Sequence, residues 1–593
     1  MKILFTLIVA VLFTCSVAPA CLADDGDQFI AIAYHDVVRT RTELASDAIT
    51  VDHLIDQFEW LLANDYHPVS IDDLLAARAG KRNLPRKAVL LCWDDGYASF
   101  YTLVFPLLKA YNFPAVLALE GSWIAPEPRA TVRYGKKTMP RNHFLSWKQL
   151  RELAKSPLVE IASHSFDLHH GVLADGFGDR LPAVIARKYD PDTKRYESDK
   201  EQFERIYKDL QKNSRFIESR LGVRPRVMVW PFGRYNKNAL DAARKAGMEI
   251  CLTLNPVPGT LENLQEIGRM YPTLNPGLDD YRGYLDPNIK PPVRHFFRVD
   301  SRQLLDASPD TEEHFSLFLN RLKAMRPAMV VFSPVVEKED GLWSLFPNRF
   351  MPMFQDRLAR FSWHIAHRGG SSTYLWLPSA LFTSDIFTRP DEGILFFEEM
   401  GKFAYCDGVL VEAPELVRSL FAQKADTGPD KAILAFWDPA RRKMARSRLR
   451  KHSSDPKITA ILARLAALQR EQPFMEMGLV LPLARLSALD MQRATMLLRY
   501  FDFLVVDARA VESVGFMNSV LENLTVLTTG LLTNKMYVLF QQHDSARELA
   551  GKFSLLPRYN IINWGYEYDD FLARRPDVES IRKFVSDAEN PFE

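Results

Sequence analysis

Short apolar runs alternate with amphipathic stretches along the first half of the chain, and this alternation predicts buried strands separated by helices. Residues 199–221 repeat apolar side chains at helical spacing, and 147–155 are also predicted to be helical. The strand candidates are residues 29–34, 88–92, 115–119, 158–162, 227–230 and 248–254. We expect an α/β domain in which the strand ends gather around one mouth.

The second half repeats the alternation on a larger scale. Eight apolar strand candidates are separated in most places by helix-like stretches, notably 312–325, 354–367, 458–470 and 488–498. The strands are predicted at 293–299, 328–333, 373–377, 408–411, 432–436, 478–481, 501–506 and 536–540. Eight strands of this kind predict a (β/α)8 barrel over residues 293–593. Residues 276–292 contain several Pro and Gly and little periodicity, so they are predicted to be a linker.

The first 23 residues have the features of an export signal. Lys2 precedes an apolar stretch over residues 3–17, and Ala18-Pro19-Ala20 fits a cleavage site. Because Cys21 follows directly, the stretch also fits, less well, a lipoprotein signal with a lipidated cysteine. The apolar run is shorter than the roughly 20 residues of a spanning helix. The leader therefore predicts a protein that works outside the cytoplasm.

Composition narrows the class of partner and the number of domains. Lys and Arg number 75 against 74 Asp and Glu, a formal net charge of +1 that argues against nucleic acid as the main partner. Outside the leader, Cys92, Cys251 and Cys406 lie far apart in the chain, a spacing that fits neither a disulfide framework nor a thiolate metal site. About 570 residues remain after the leader, enough for two large domains.

Two adjacent carboxylates close the second predicted strand. Asp94 and Asp95 follow the apolar run 88–92 and precede Gly96. Neighbouring carboxylates at the end of a buried strand repel each other, which costs stability unless a cation or a shared proton compensates. They are therefore candidates for metal ligation or acid–base catalysis, with an ordinary Asp-Asp-Gly turn as the alternative.

Three histidines, His164, His169 and His170, follow the fourth predicted strand. The chain has 13 histidines in 593 residues, so a cluster at a strand end is a strong signal. Neutral imidazole and carboxylate suit zinc and its first-row neighbours. Asp95, His164 and one of His169 or His170 would make a site with three protein ligands, whereas solvated loop histidines are the alternative.

Two further strand ends carry unusual chemistry. In Trp230-Pro231-Phe232-Gly233, the fixed φ of proline and the freedom of glycine could hold the Phe232 N–H pointing into the mouth, as an oxyanion hole requires. His35, at the end of the first strand, could be an acid, an orienting group or a core histidine.

These motifs resemble those of the NodB-type polysaccharide deacetylases, carbohydrate esterase family 4. The family's T-F-D-D-G motif appears as Cys92-Trp93-Asp94-Asp95-Gly96, and its H-[ST]-x-x-[HS] motif as His164-Ser165 followed by His169. The longer histidine spacing, the Trp230–Gly233 motif and an inserted region at 189–199 are similar to one branch, the poly-β-1,6-N-acetylglucosamine N-deacetylases of Gram-negative biofilm secretion systems. The resemblance covers most of residues 28–260 and implies a distorted (β/α)7-type barrel over residues 24–275.

By this resemblance, Asp95, His164 and His169 bind a divalent metal ion (zinc, nickel, cobalt or iron), and Asp94 is the general base of de-N-acetylation. Phe232 N–H would stabilise the oxyanion, and Trp230 would contact the substrate. The usual Leu-x-x-His acid is missing near the last strand, where the chain has Cys251-Leu252-Thr253-Leu254-Asn255. His35 is the candidate that replaces it.

The same resemblance implies partners and a location. The implied partners are a poly-N-acetylglucosamine-type polysaccharide and an outer-membrane export porin. The implied location is the periplasm, with attachment to the outer membrane through a lipid on Cys21 as the only membrane contact.

Residues 293–593 are similar, more loosely, to the C-terminal glycoside-hydrolase-like barrel of the same branch. Where that barrel carries a His-Asp-Asp run that supplies a catalytic carboxylate, this chain has Glu412-Ala413-Pro414. Glycoside cleavage normally needs two carboxylates at a set separation. Glu412, Asp438 and Asp507 stand at or just beyond predicted strand ends and are the candidates to replace the missing group. We expect a glycan-binding barrel with lost or altered hydrolysis.

Two other functions remain open at this point. One keeps the same chemistry on another N-acetylated glycan, such as peptidoglycan or a capsule polymer. The other is a non-catalytic glycan-binding export factor that retains the metal site as a structural element.

Overall fold

The computed structural model of the chain contains two barrels in sequence. It describes residues 27–125, 130–135, 137–285, 293–308, 311–383, 386–387, 389–422, 455–511, 534–542 and 546–586, together with positions 442, 446–447, 450–451, 453 and 522. The predicted leader with Cys21, the predicted strand 432–436 and Asp438 lie outside these residues. Among the described residues, no helix has the length and apolar character needed to cross a bilayer.

The N-terminal domain is built on six parallel strands in the order β15-β14-β9-β6-β5-β1. All six coincide with strands predicted from the sequence, because each is a continuous apolar run buried on both faces. The strands of this domain are β1 (Gln28–Tyr34), β2 (Val37–Val38), β3 (Ile49–Thr50), β4 (His67–Pro68), β5 (Ala88–Trp93), β6 (Ala115–Leu119), β7 (Thr131–Tyr134), β8 (Lys137–Pro140), β9 (Val159–Ser163), β10 (Gly171–Leu173), β11 (Arg180–Pro182), β12 (Tyr189–Asp190), β13 (Arg195–Tyr196), β14 (Val227–Val229), β15 (Ile250–Leu252) and β16 (Gly259–Thr260).

Helices cover the outside of this sheet. They are α1 (Val51–Ala63), α2 (Ile71–Arg78), α3 (Phe105–Tyr111), α4 (Gly121–Ile124), α5 (Trp147–Leu153), α6 (Asp199–Leu221), α7 (Lys237–Lys245) and α8 (Leu278–Leu285). Helix α6 begins at a Ser198–Glu201 capping box and ends at Gly222, whose φ of 70° suits a residue without a side chain. The predicted helix 199–221 is therefore confirmed, with its apolar face buried.

A short irregular segment joins the two ends of the parallel set. Ile267 forms a parallel bridge with Leu252 of β15, and Met270 forms one with Ile32 of β1. Residues 267–270 therefore take the place of a seventh strand. This is the arrangement expected of a distorted (β/α)7-type barrel.

Helix α8 corrects the position of the predicted linker. It occupies residues 278–285 within the stretch 276–292, and its Tyr281 and Leu285 are fully buried in the hydrophobic core of the first domain. This part of the predicted linker is structurally part of the N-terminal domain, while residues 286–292 lie outside the described residues.

The C-terminal domain is a closed barrel of eight parallel strands in the order β17-β18-β21-β22-β23-β24-β25-β26. A hairpin, β19–β20, is inserted after the second of them. The strands are β17 (Phe296–Arg298), β18 (Met329–Phe332), β19 (Val335–Lys338), β20 (Gly341–Ser344), β21 (Ser372–Leu377), β22 (Gly408–Val411), β23 (Glu476–Pro482), β24 (Phe503–Asp507), β25 (Met536–Gln541) and β26 (Asn563–Glu567). The described helices are α9 (Glu313–Met325), α10 (Leu358–Gly369), α11 (Pro390–Phe403), α12 (Pro414–Ala422), α13 (Pro456–Glu471), α14 (Met491–Leu498), α15 (Ala546–Leu555) and α16 (Val578–Val585).

Seven of the eight predicted barrel strands are confirmed, and the remaining prediction, 432–436, lies outside the described residues. The eighth strand of the observed barrel is β26, which the sequence pattern did not predict. Strand β26 reads Asn-Trp-Gly-Tyr-Glu, which lacks an apolar run although all five residues are buried. Its polar ends are satisfied inside the protein: Asn563 Oδ1 accepts from the Arg294 N–H, and Glu567 pairs with Arg298. Because buried polar residues with partners can stand in a core strand, a search for apolar runs does not detect such a strand.

The amino-terminal end of the C-terminal barrel faces the mouth of the first domain. Asp407, just before β22, and Glu476, which opens β23, share one cavity with Phe232 and Leu254 of the first domain. Elsewhere the contact surface between the two domains, here called the seam, is held by polar contacts. Asp179 accepts from His364 (Nε2 to Oδ1, 2.9 Å), Tyr196 donates to Asp356 (2.5 Å) and Lys402 pairs with Asp199 (3.0 Å). The barrel therefore forms one wall beside the strand ends that carry the candidate site.

Candidate active site and metal centre

The backbone after β5 separates the two adjacent carboxylates. Asp95 and Gly96 both adopt left-handed conformations, with φ of 72° and 76°. This turn sends Asp94 towards Arg269 and Asp95 towards two histidines, although the two residues are neighbours in sequence. The arrangement is a specific site geometry and not an ordinary turn at the protein surface, since Asp95 is fully buried and Asp94 nearly so.

Asp95, His164 and His169 converge on one point. Asp95 Oδ1 lies 3.3 Å from His164 Nε2 and 3.9 Å from His169 Nε2, and the three ligand atoms all lie within 4.8 Å of one another. His164 Nδ1 is 2.8 Å from the Val229 carbonyl oxygen, so its N–H is used there and the Nε2 lone pair faces Asp95. His170 is outside the cluster, half-exposed beside Asp167. The open choice between His169 and His170 is thus resolved in favour of His169.

The donor atoms of this cluster fit a divalent metal ion. Asp95 Oδ1 and His164 Nε2 are buried and have no hydrogen-bond partner. A buried polar atom without a partner costs about 1–3 kcal/mol, and an ion bound between carboxylate and imidazole would remove that cost. Tyr134 donates to the other Asp95 oxygen (2.8 Å) and so orients the carboxylate.

The ionisation of Asp95 and of His169 agrees with ligand roles. Burial raises the pKa of Asp95, but the adjacent His164 and the charges of the other nearby imidazoles bring it well below the usual value. Burial lowers the pKa of His169 to about 4, so its ring is neutral at pH 7. Burial also acts to lower the pKa of His164, yet Asp95 and Asp94 outweigh it and the net direction is upward.

Buried acids outside the cluster hold the loop that carries the two histidines. Ser165, at φ 80°, donates to Glu120 (2.7 Å) and accepts from the Leu168 N–H (3.0 Å). Asp209 accepts from the N–H groups of Phe166 (2.8 Å) and Asp167 (2.9 Å), and burial raises its pKa to about 6. These bonds fix the loop path that brings His169 back to Asp95. Sequence reasoning missed Glu120 and Asp209, which stand on separate elements with no motif around them.

Asp94 is paired with Arg269, a residue that sequence reasoning also missed. Arg269 Nη1 and Nη2 lie 2.7 and 2.9 Å from the two Asp94 oxygens, and its Nε donates to the Thr253 carbonyl (2.9 Å). Burial raises the pKa of Asp94, but the Arg269 charge, with His164 and His35, brings it below the usual value. Arg269 lies in the irregular segment 267–270, so the only available signal was that a buried carboxylate needs a counter-charge.

His35 and Phe232 lie at the same mouth. His35 Nε2 is 3.9 Å from Asp94 Oδ2, its ring packs on Tyr271 (4.9 Å between centroids), and its buried Nδ1 has no hydrogen-bond partner. Phe232 has a left-handed backbone (φ 57°, ψ 13°), and its N–H donates no hydrogen bond within the described part of the chain. Its ring lies 4.2 Å from that of His169. Both residues lie at the mouth, and their roles as acid and as oxyanion donor stay predictions.

Trp230 differs from its prediction. The side chain is fully buried and packs beside Tyr235 in the core, with ring centroids 6.2 Å apart. It offers no surface to a ligand, so the prediction that it contacts substrate is wrong. Trp230 follows the buried strand β14 directly and continues its apolar run into the core.

The mouth of the C-terminal barrel contains a second acidic cluster, and it is neutralised by arginines. Glu412 follows β22, while Asp507 and Glu567 end β24 and β26. Arg509 contacts all three, with N–O distances of 3.1, 2.7 and 2.9 Å, and Arg298 adds a 2.7 Å pair to Glu567. Of the predicted candidates, Glu412 and Asp507 are therefore brought together, whereas Asp438 lies outside the described residues.

Comparison with known proteins assigns the first domain to a class. Residues 81–251 match the family model described as polysaccharide deacetylase, and this part of the chain is a polysaccharide deacetylase domain. Asp94, Asp95 and His164 all fall within the matched range.

Individual relatives and solved structures match a longer part of the chain than the family model does. The poly-beta-1,6-N-acetyl-D-glucosamine N-deacetylase of Escherichia coli (strain K12) is 34% identical over 356 residues, which are 59% of this chain and 53% of the relative. The chain thus spans about half the length of this curated relative. Among solved structures, a de-N-acetylase from Aggregatibacter actinomycetemcomitans is 38% identical, covering 44% of this chain and 100% of its own, with a TM-score of 0.41. The BpsB deacetylase domain from Bordetella bronchiseptica is 39% identical, covering 42% and 96%, with a TM-score of 0.38.

Proposed function

We propose that this chain is a metal-dependent enzyme that removes acetyl groups from poly-β-1,6-N-acetylglucosamine. The observation that carries the proposal is the convergence of Asp95, His164 and His169 beside the ion-paired Asp94, with buried atoms of Asp95 and His164 that have no hydrogen-bond partner. The polysaccharide deacetylase match supports the reaction class, and the named Escherichia coli relative supports the choice of polymer.

Asp94 is the general base in this proposal. An ion held by Asp95, His164 and His169 would supply a Lewis acid for the acetamide carbonyl. Asp94 takes a proton from the attacking water through Oδ2, which keeps a second acceptor position beyond its bond to Arg269, whereas Oδ1 also accepts from Cys92 Sγ. Arg269 holds the carboxylate ionised and fixed in orientation, which the lowered pKa of Asp94 reflects.

Phe232 and His35 complete the reaction. The Phe232 N–H, which has no partner in the described residues, donates to the carbonyl oxygen as negative charge develops there. His35 gives a proton to the amine nitrogen as the carbon–nitrogen bond breaks. Acetate leaves with the oxygen of the attacking water, and a free amine stays on the polymer.

The C-terminal barrel is proposed to bind glycan without cleaving it. Hydrolysis of a glycosidic bond needs one protonated carboxyl group and a second carboxylate free to act as base or nucleophile. Glu412, Asp507 and Glu567 are all engaged by Arg509. None of the three is therefore free to act as a base or nucleophile.

The proposal includes export. The leader at residues 1–23 would direct the chain to the periplasm, where an outer-membrane export porin would be the partner that passes the polymer outward. A lipid on Cys21 would attach the chain to the outer membrane. Labelling of Cys21 with a radioactive fatty acid in cells, against a Cys21→Ala control, tests that attachment.

Acetate release from defined oligomers tests the proposed reaction. The purified chain is given β-1,6-linked N-acetylglucosamine oligomers, with chelator and then with zinc, nickel, cobalt or iron restored. Parallel samples contain β-1,4-linked oligomers and peptidoglycan fragments. We expect metal-dependent release from the β-1,6 series above all others. Release only from another glycan would replace the substrate, and no metal-dependent release from any of them would leave a non-catalytic binding factor.

A further inference from the structure

We propose that the cavity between the two domains is a saccharide subsite that binds the sugar unit next to the one being deacetylated. The cavity has a volume of about 250 Å³. This inference rests on the proposed function, because it assumes that the substrate is a polymer of amino sugars. It adds a binding role for residues of both domains that lie outside the metal centre.

The cavity adjoins the deacetylation site through one shared residue. Phe232 lines the cavity, and the same ring packs 4.2 Å from His169 of the metal cluster. The first domain also contributes Arg234 and Asn255, and the base of the C-terminal barrel contributes Asp407 and Phe474. A sugar whose acetamide reaches the metal cluster would therefore have its neighbour in the chain directed towards this space.

Three polar groups in the cavity are not used by the protein. Within the described residues, the side chains of Arg234 and Asn255 make no hydrogen bond or ion pair. Asp407 Oδ2 accepts from the Thr373 N–H (2.8 Å), which leaves Oδ1 without a partner. Elsewhere the same seam pairs its charges, as Asp179 does with His364 and Lys402 with Asp199. Unused donors and acceptors that line one cavity indicate a ligand that supplies their partners.

The chemistry of the walls fits a pyranose ring. Phe232 is 44% exposed, and Phe474, held edge-on by Tyr235 at 4.5 Å, is half-buried, so both present apolar surface. Sites for drug-sized ligands occupy roughly 300–1,000 Å³, so a cavity slightly smaller than that suits a single sugar unit. The guanidinium and amide can donate to ring hydroxyls or an acetamide oxygen, and Asp407 can accept from a hydroxyl or a free amine. The ligand class is therefore an amino sugar.

One consequence is that the subsite exists only while the two domains are docked. The donors come from the first domain and the carboxylate from the second. Recognition of a polymer, as opposed to a single acetylated group, would then depend on the C-terminal barrel even though the barrel takes no part in the chemistry.

The test compares a long substrate with a short one in the full chain. The probes are a β-1,6-linked N-acetylglucosamine tetramer and a small aromatic acetate ester, which is too short to reach the cavity. We expect Arg234→Ala and Asp407→Asn each to lower the ratio of tetramer kcat/KM to ester kcat/KM about tenfold, mainly through KM. Asp407→Asn keeps an oxygen for the Thr373 N–H, so the local fold is retained.

A binding measurement and a control variant complete the test. In an Asp94→Asn background, where turnover is expected to fall by about 10²–10⁴-fold, the tetramer Kd measured by calorimetry should rise about tenfold on adding either substitution. Arg349→Ala, which lines the other cleft between the domains and is 73% exposed, should leave both readouts unchanged. An unchanged ratio in Arg234→Ala and Asp407→Asn, or an equal drop in Arg349→Ala, would overturn the subsite alone. If the unmodified chain hydrolyses the ester but releases no acetate from the tetramer, the proposed function fails and the subsite with it.

Discussion

The two barrels both place acidic side chains at the carboxyl ends of parallel strands, but they compensate the charge in different ways. At the mouth of the first domain, Asp94 has an arginine partner, while Asp95 and His164 each keep a buried atom without a hydrogen bond. In the second, Arg509 and Arg298 together contact every one of the three carboxylates at the mouth.

The difference shows which feature marks a ligand site. A cluster of acids alone is ambiguous, because arginines can complete it and leave a stable polar network with nothing more to bind. Buried donor atoms without partners cost stability, so a protein keeps them where something else supplies the missing interaction. The unpaired carboxylate oxygen and imidazole nitrogen of the first mouth are donor types that a cation would join, whereas each carboxylate of the second mouth already has an arginine.

The largest predicted difference between the two mouths is in their effect on turnover. Asp94→Asn removes the proposed base but keeps a side chain of the same shape, so acetate release from β-1,6 oligomers should fall by about 10²–10⁴-fold. Glu412→Gln, the matched change at the other mouth, should leave release within about twofold. Acetate is measured at saturating metal for both. Near-normal activity in Asp94→Asn would show that the assigned base is wrong.

Much of this contrast could be predicted from the sequence, because motifs at strand ends do not depend on distant contacts. Asp94, Asp95 and His164 stand directly after apolar runs, and parallel strands bring such ends together whatever the details of packing. The apolar runs themselves predicted seven of the barrel strands. Without the family motif, the residues alone leave His169 and His170 open, because the choice depends on the loop path that Asp209 and Glu120 hold from other elements.

The residues that complete each cluster could not be predicted in this way. Arg269 stands 175 positions from Asp94, in a segment with no regular structure, and reaches it only because that segment joins the two ends of the sheet. Arg298 and Glu567 are 269 positions apart and meet because the barrel closes β26 on β17. Long-range ion pairs follow from tertiary structure and leave no local pattern.

A second prediction concerns metal binding and stability. Zinc, nickel or cobalt at 100 times its Kd should stabilise the apo chain by about 2.7 kcal/mol, since the ion binds the folded cluster only. His164→Ala should abolish most of this gain, whereas Glu412→Ala should keep it. Thermal unfolding with and without ion is the measurement. An equal stabilisation of His164→Ala would place the ion elsewhere.

A third prediction tests whether the barrel mouth is held by its arginine. Arg509→Ala leaves Glu567, which is almost fully buried, with only Arg298, and should cost about 2 kcal/mol, less than a fully buried pair because Arg509 is partly exposed. Arg302→Ala, which breaks an exposed pair with Asp300, should cost under about 1 kcal/mol. Urea unfolding monitored by tryptophan fluorescence gives both values. Equal costs would mean that the cluster contributes no more than a surface pair.

The smallest effect lies at the seam, where an acid is held by neither arginine nor metal. Tyr196 donates to Asp356, and burial raises the pKa of Asp356 to about 6. A raised carboxyl pKa contributes stability that is complete below about pH 4 and is lost as the pH rises through 6. Asp356→Asn removes the charge and keeps an acceptor for Tyr196, so it should stabilise the chain by about 1 kcal/mol at pH 8 and by nothing measurable at pH 4. Urea midpoints at the two pH values measure this, with Tyr196→Phe as the variant that removes the donor instead. A gain of the same size at both pH values would show that the effect does not come from the charge.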